Sequence, residues 1–128
     1  IAWGEMDAYA HVNNTVYFRW FESARIAYLD RIGFREPAQN GGIAPILAST
    51  QCRFRIPLSY PGSIAIGART ISVDTDRFTM EYTIVRVEDG EVAATGTGVI
   101  VSFDYTKGQK AALPDAVRER IATLENRM

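Results

Sequence analysis

The segment from Thr15 to Ile32 restricts the possible folds more than any other stretch. Tyr17, Trp20, Phe21, Ala24 and Tyr28 recur at steps of three and four, the spacing of one helical face, while Val16, Phe18, Ile26 and Leu29 point elsewhere around the same axis. A helix this apolar on most sides is expected to be buried by its surroundings. Asn13 or Asn14 stands where a side-chain oxygen can accept from first-turn N–H groups, and Gly33 suits the left-handed residue that ends a helix. Such a rod is about 27 Å long.

After this helix the period falls to two. Cys52, Phe54 and Ile56 alternate with Gln51, Arg53 and Arg55, and Phe78, Met80, Tyr82 and Ile84 alternate with Thr79, Glu81 and Thr83, as in half-buried strands. Residues 63 to 73 read as another strand, entered from Pro61-Gly62, and Asp89-Gly90 reads as a hairpin turn into a long strand from Val92 to Phe103. Ala94, Gly96 and Gly98 share one face of that strand; glycine there implies a bulky group approaching closely, for which the aromatic helix is the candidate. From Pro114 to Met128, Val117, Ile121 and Leu124 fall at helical steps between charges, predicting a short closing helix. The order is a short strand, a long helix, four long strands and a terminal helix. That is an α+β pattern with an antiparallel sheet curled around the helix.

A chain of 128 residues fits one domain, residues 1–128, and buries a core without disulfides or a metal. Fourteen basic against 15 acidic residues argue against nucleic acid as a partner. Cys52 is the single cysteine, so no internal disulfide forms and a cytoplasmic location is the expectation. No apolar run approaches the ~20 residues of a membrane-spanning helix. With His11 the only histidine, no metal site is expected.

Chemically able residues concentrate just before the helix, in Trp3-Gly4-Glu5-Met6-Asp7-Ala8-Tyr9-Ala10-His11-Val12-Asn13-Asn14. A carboxylate, an imidazole and two amides ahead of a helix N-terminus are suited to stabilising negative charge that develops during a reaction, because the first-turn N–H groups are unpaired.

The run Asp7-Ala8-Tyr9-Ala10-His11-Val12-Asn13-Asn14-Thr15-Val16-Tyr17, continued by Phe21-Glu22-Ser23-Ala24-Arg25, resembles the signature of hotdog-fold thioesterases of the 4-hydroxybenzoyl-CoA thioesterase family. The resemblance implies a hotdog fold, in which the sheet wraps one central helix, and an acyl-CoA thioesterase that yields a carboxylic acid and a thiol. It implies that Asp7 is the general base or nucleophile and that the backbone N–H near Asn14 polarises the thioester carbonyl. His11 and Asn13 either orient Asp7 or a water, or hold the loop and cap the helix. Tyr17, with Tyr9, Phe18 and Trp20, could line the acyl pocket.

A coenzyme A or carrier-protein thioester carries phosphate, and no other cofactor is expected. Arg53 and Arg55, read as sharing one strand face, Arg77 with Phe78 at the head of the next hairpin strand, and Lys107 and Lys110 flanking Gly108 are the candidates to meet it. Arg77 stands where that family places small hydroxyl residues. Arg19, Glu22 and Arg25, three apart, can pair with one another or meet a second copy across the helix. In the family, sheets join edge to edge in homodimers that can pair into tetramers, with active sites at the interface. The competing expectations are a hotdog dehydratase or hydratase, and a non-catalytic acyl-CoA-binding module.

Overall fold

The computed structural model describes residues 1–126. Helix α1 (Asn14–Arg31) is followed by strands β1 (Ile43–Phe54), β2 (Ile64–Val73), β3 (Arg77–Arg86) and β4 (Val92–Asp104), a two-residue β5 (Gln109–Lys110) and helix α2 (Asp115–Glu125). The antiparallel sheet has the order β1-β4-β3-β2, with β5 beside β4, and α1 lies across its inner face. This is the hotdog arrangement that the sequence leads one to expect. No described helix is long and apolar enough to cross a membrane.

The expected first strand is absent. Trp3–Glu5 forms a single 3₁₀ turn, and only Met6 and Val12 make an antiparallel bridge. Local hydrogen bonds within residues 7–11 bend the chain back before a ladder can extend. Conversely, β1 begins at Ile43, well before the alternating residues that predict it. Its first half shows little alternation because β1 is an edge strand with a bulge at Ala48, between Leu47 and Ser49, which switches the inward parity. Pro45 is tolerated there because an edge strand has one side with no ladder to donate to. The closing helix runs from Asp115 to Glu125, within the range predicted; residues 127 and 128 lie outside the described residues.

The inward face of β3 matches its alternation: Phe78, Met80, Tyr82 and Ile84 are all buried. Gly96 sits opposite Tyr82, and a Cβ there would collide with the ring of Phe21 from α1. Gly98 has a different reason, since a Cβ would come within 2.8 Å of the Tyr82 hydroxyl from the neighbouring strand rather than of the helix.

The helix is buried on one face only, by Val16, Tyr17, Phe21, Arg25, Tyr28 and Leu29. Trp20 and Ala24 are half-buried, and Glu22, Ser23, Ile26 and Ala27 face outward, because the sheet covers one side of the rod. The charges on α1 also depart from expectation. Arg19 pairs with Glu5 at 2.9 Å, while Arg25 turns inward and donates to the Tyr82 hydroxyl at 3.1 Å. Burial pushes the Tyr82 phenol above its ordinary range, and the neighbouring guanidinium partly offsets this. At the far end Thr70 donates to the Tyr28 hydroxyl at 2.6 Å, and its N–H donates to Glu125 at 2.9 Å, tying α2 to the edge of β2.

Candidate active site

Residues 7–11 form a closed turn. The Asp7 N–H donates to the His11 carbonyl at 2.8 Å, and the Ala10 N–H donates to the Asp7 carbonyl at 3.1 Å. Asp7 Oδ1 accepts from the Tyr9 N–H at 2.9 Å and from the His11 N–H at 3.4 Å, an arrangement typical of short acidic side chains. Ala10 closes the turn in the left-handed region, at φ 62°. The chain is then anchored by Val12, whose N–H donates to Leu58, and by Asn13, whose N–H donates to Glu5.

Asn13, not Asn14, is the cap. Its Oδ1 accepts from the Thr15 N–H at 3.0 Å and from the Thr15 hydroxyl at 2.9 Å, and its carbonyl takes the Val16 N–H. Asn14 is the first helical residue, and nothing among the described residues accepts from its N–H. This donor, at the positive end of an 18-residue helix, borders a cleft of about 260 Å³ lined by His11, Val12, Asn14, Tyr17, Phe54, Arg55, Ile56 and Pro57. The floor is apolar, with Val12 and Tyr17 buried. Phe54 stands edge-on to Tyr17, centroids 4.8 Å apart and planes at 83°, and Trp20 backs Tyr17 at 5.3 Å. Burial raises the Tyr17 phenol pKa, and it pushes the Cys52 thiol up to about 11, so neither supplies an anion near neutral pH.

The fold lines the cleft with His11, Asn14, Tyr17 and Arg55, keeps Asn13 beside them as the cap and Asp7 bonded to the His11 N–H, and separates Arg53, Arg77 and Phe78 from them. Asp7 opens onto an adjoining hollow of about 280 Å³, with Trp3, Gly4, Met6, Ala8 and Ala10. Arg53 and Arg55 do not share a face. The strand ends at Phe54, and the N–H groups of both Arg55 and Ile56 donate to the Ala93 carbonyl, which breaks the two-residue period. Arg53 therefore lies on the outer face of the sheet, in a depression with Gln51, Glu81, Thr95 and Thr97.

Arg77 is engaged by Asp76 at 2.8 Å, which lowers the Asp76 carboxyl pKa, and it sits opposite Val101, far along the ladder from Phe54. Phe78 is a core residue packed near Phe34 and lines no cleft. Around Gly108, the N–H groups of Thr106 and Lys107 are taken by the Asp104 carboxylate, an environment unlike a phosphate cradle. Phe54, Ile56, Pro57 and Val12 also line the cleft, and sequence reasoning does not name them as site residues; Phe54 reads only as one of an alternating, half-buried strand set. Its strand position was legible, but its exposure depends on lying at the end of an edge strand. Among the described residues no three His, Cys, Asp or Glu side chains stand close enough to hold a metal ion.

Comparison with known proteins agrees with this architecture. Residues 1–121 match the model of the thioesterase-like superfamily. A thioesterase from Thermus thermophilus, solved with coenzyme A and zinc, is 32% identical with a TM-score of 0.85, covering 100% of this chain and 91% of that one. The Bacillus subtilis protein YsmA is 26% identical over 121 residues, covering 94% of this chain and 80% of that protein. Protein THEM6 of Danio rerio is 30% identical over 90 residues, which are 70% of this chain and 45% of that longer protein.

Proposed function

The chain belongs to the thioesterase-like superfamily of thioester hydrolases, and we propose that it hydrolyses an acyl-CoA to a carboxylic acid and free coenzyme A. The observation that carries this reading is the unpaired Asn14 N–H at the mouth of an apolar-floored cleft. A thioester carbonyl oxygen placed there accepts from that N–H and gains from the helix dipole as it becomes an oxyanion. The acyl group rests on Val12, Tyr17, Phe54 and Ile56, and Arg55 at the rim suits a phosphate of the carrier.

Asp7 is the carboxylate within reach along the same turn. In this reading the thioester lies across the turn, its carbonyl oxygen toward Asn14 and its carbon toward Asp7. Asp7 then either draws a proton from the attacking water or attacks the carbon itself to give an anhydride that water cleaves; in both cases the thiolate leaves and is protonated. The N–H groups of Tyr9 and His11 hold Asp7 Oδ1, which leaves Oδ2 for this work. His11 and Asn13 position the turn and the helix start.

A second copy completes the site. Among the described residues no strand pairs with the outer side of β1, whereas α2 and Glu125 engage the β2 edge at Thr70. Sheets joined through β1 would place the cleft beside the copy, giving a homodimer that can pair again.

One observation favours a second reading. The Asp7 carboxylate is already used to hold its own turn, as it would be in a module that binds acyl-CoA without cleaving it. Two substitutions separate the readings. Asp7→Asn should abolish hydrolysis of acyl-CoA while folding and oligomeric state persist. Asn14→Pro removes the N–H at the first helical position, where proline is well tolerated, and should lower kcat about 100-fold or more. Equal turnover by wild type and either variant would overturn the mechanism; tight binding without turnover by the wild type would establish the binding module.

A further inference from the structure

We propose that Phe54 sets the upper size of the acyl group, restricting this enzyme to a single ring or a short chain. The inference rests on the reading of the cleft given above and adds the substrate class to it. Phe54 occupies the inner face of β1 opposite Ala94, whose small side chain does not wedge the ring in place. It is 48% exposed, although its neighbours Tyr17 and Val12 are buried. Its ring therefore belongs to the wall of the cleft rather than to the core, resting edge-on against Tyr17.

Two of the remaining walls, Val12 and Tyr17, are buried. Trp20 packs against Tyr17, and further along the helix Phe21 fills the space over Gly96 so tightly that not even a methyl group fits. A long acyl chain thus finds no room over Gly96. Within one chain the cleft measures about 260 Å³. Of the two rings in contact there, Tyr17 is buried and Phe54 is the one left exposed.

The test is a profile of kcat/KM over acetyl-, hexanoyl-, benzoyl-, dodecanoyl- and palmitoyl-CoA for wild type, Phe54→Ala and Phe54→Leu. The wild type should favour hexanoyl- or benzoyl-CoA. Phe54→Ala should raise kcat/KM for dodecanoyl-CoA about tenfold and lower it for benzoyl-CoA by a similar factor, with Phe54→Leu intermediate. Phe54→Leu keeps the test usable if the alanine variant does not fold. A wild-type optimum at palmitoyl-CoA, or profiles that superimpose across the variants, would overturn the assignment while leaving the hydrolytic reading intact. If the wild type turns over none of these thioesters, the hydrolytic reading fails, and the same size ranking is read from acyl-CoA binding affinities. Unchanged affinities between wild type and the Phe54 variants would then overturn the role of Phe54.

Discussion

The ring of Phe21 lies nearly parallel to that of Tyr82, centroids 4.7 Å apart and planes at 16°, above the strand position of Gly96. This stack seats the helix on the sheet and so fixes where the helix start, with its Asn14 N–H, stands relative to Phe54. A methyl group at residue 96 would press on Phe21 and also on the Gln51 carbonyl, 2.6 Å away, which is backbone and cannot swing aside.

Gly96→Ala should therefore cost about 1–3 kcal/mol, seen as a drop of several degrees in Tm. Gly67→Ala, on β2 with no atom within 4 Å of the added Cβ, should stay within about 0.5 kcal/mol of wild type. Equal Tm values for the two variants would show that Phe21 does not press on the strand.

The buried guanidinium of Arg25 has a neutral hydroxyl, that of Tyr82, as its hydrogen-bond partner among the described residues. Tyr82→Phe keeps the stack and removes that acceptor, so it should destabilise by about 1–3 kcal/mol. Arg25→Met removes the buried charge and should be near neutral or stabilising. In the Arg25→Met background, Tyr82→Phe should lose most of its cost; denaturant unfolding of the four proteins reads this coupling, and strict additivity would refute it.

Ala10 holds a positive φ that closes the turn around Asp7. Ala10→Gly should raise stability by up to about 1 kcal/mol, since glycine carries no Cβ penalty there, and Ala10→Val should lower both Tm and thioesterase activity. A glycine variant less stable than wild type would show that the turn is not strained at this residue.

Burial raises the Cys52 thiol from an ordinary 9.0 to about 11. Because the folded value is the higher one, its contribution to stability is full below pH 9 and is lost as pH rises through 11. At about pH 8 the thiolate fraction should be about 100-fold smaller in the native protein than in the unfolded chain. Alkylation by iodoacetamide, followed with and without denaturant, should show a slowing of at least that order; equal rates would mean that Cys52 is solvated.

Much of this is legible in the amino-acid order. The helix from Asn14 can be read because its period and its Asn cap are local, whereas the turn at Asp7 reads only as a loop after a first strand. The inward face of β3 can be read because a central strand covered by a helix shows a clean alternation. The alternation read from Gln51 onward holds to Phe54 and fails beyond it. Two N–H groups sharing the Ala93 carbonyl at the strand end put Arg53 and Arg55 in different recesses.

By itself the amino-acid order determined the two helices and the four long strands, the residue types gathered at the helix start and the resemblance that pointed to thioester chemistry. Only the tertiary structure decided which faces are covered. It turned Arg25 inward, placed Phe78 in the core and left Phe54 exposed beside Tyr17. Periodicity assigns a side chain to one of two faces, but what lies against that face depends on strand order and on packing between residues far apart in the chain.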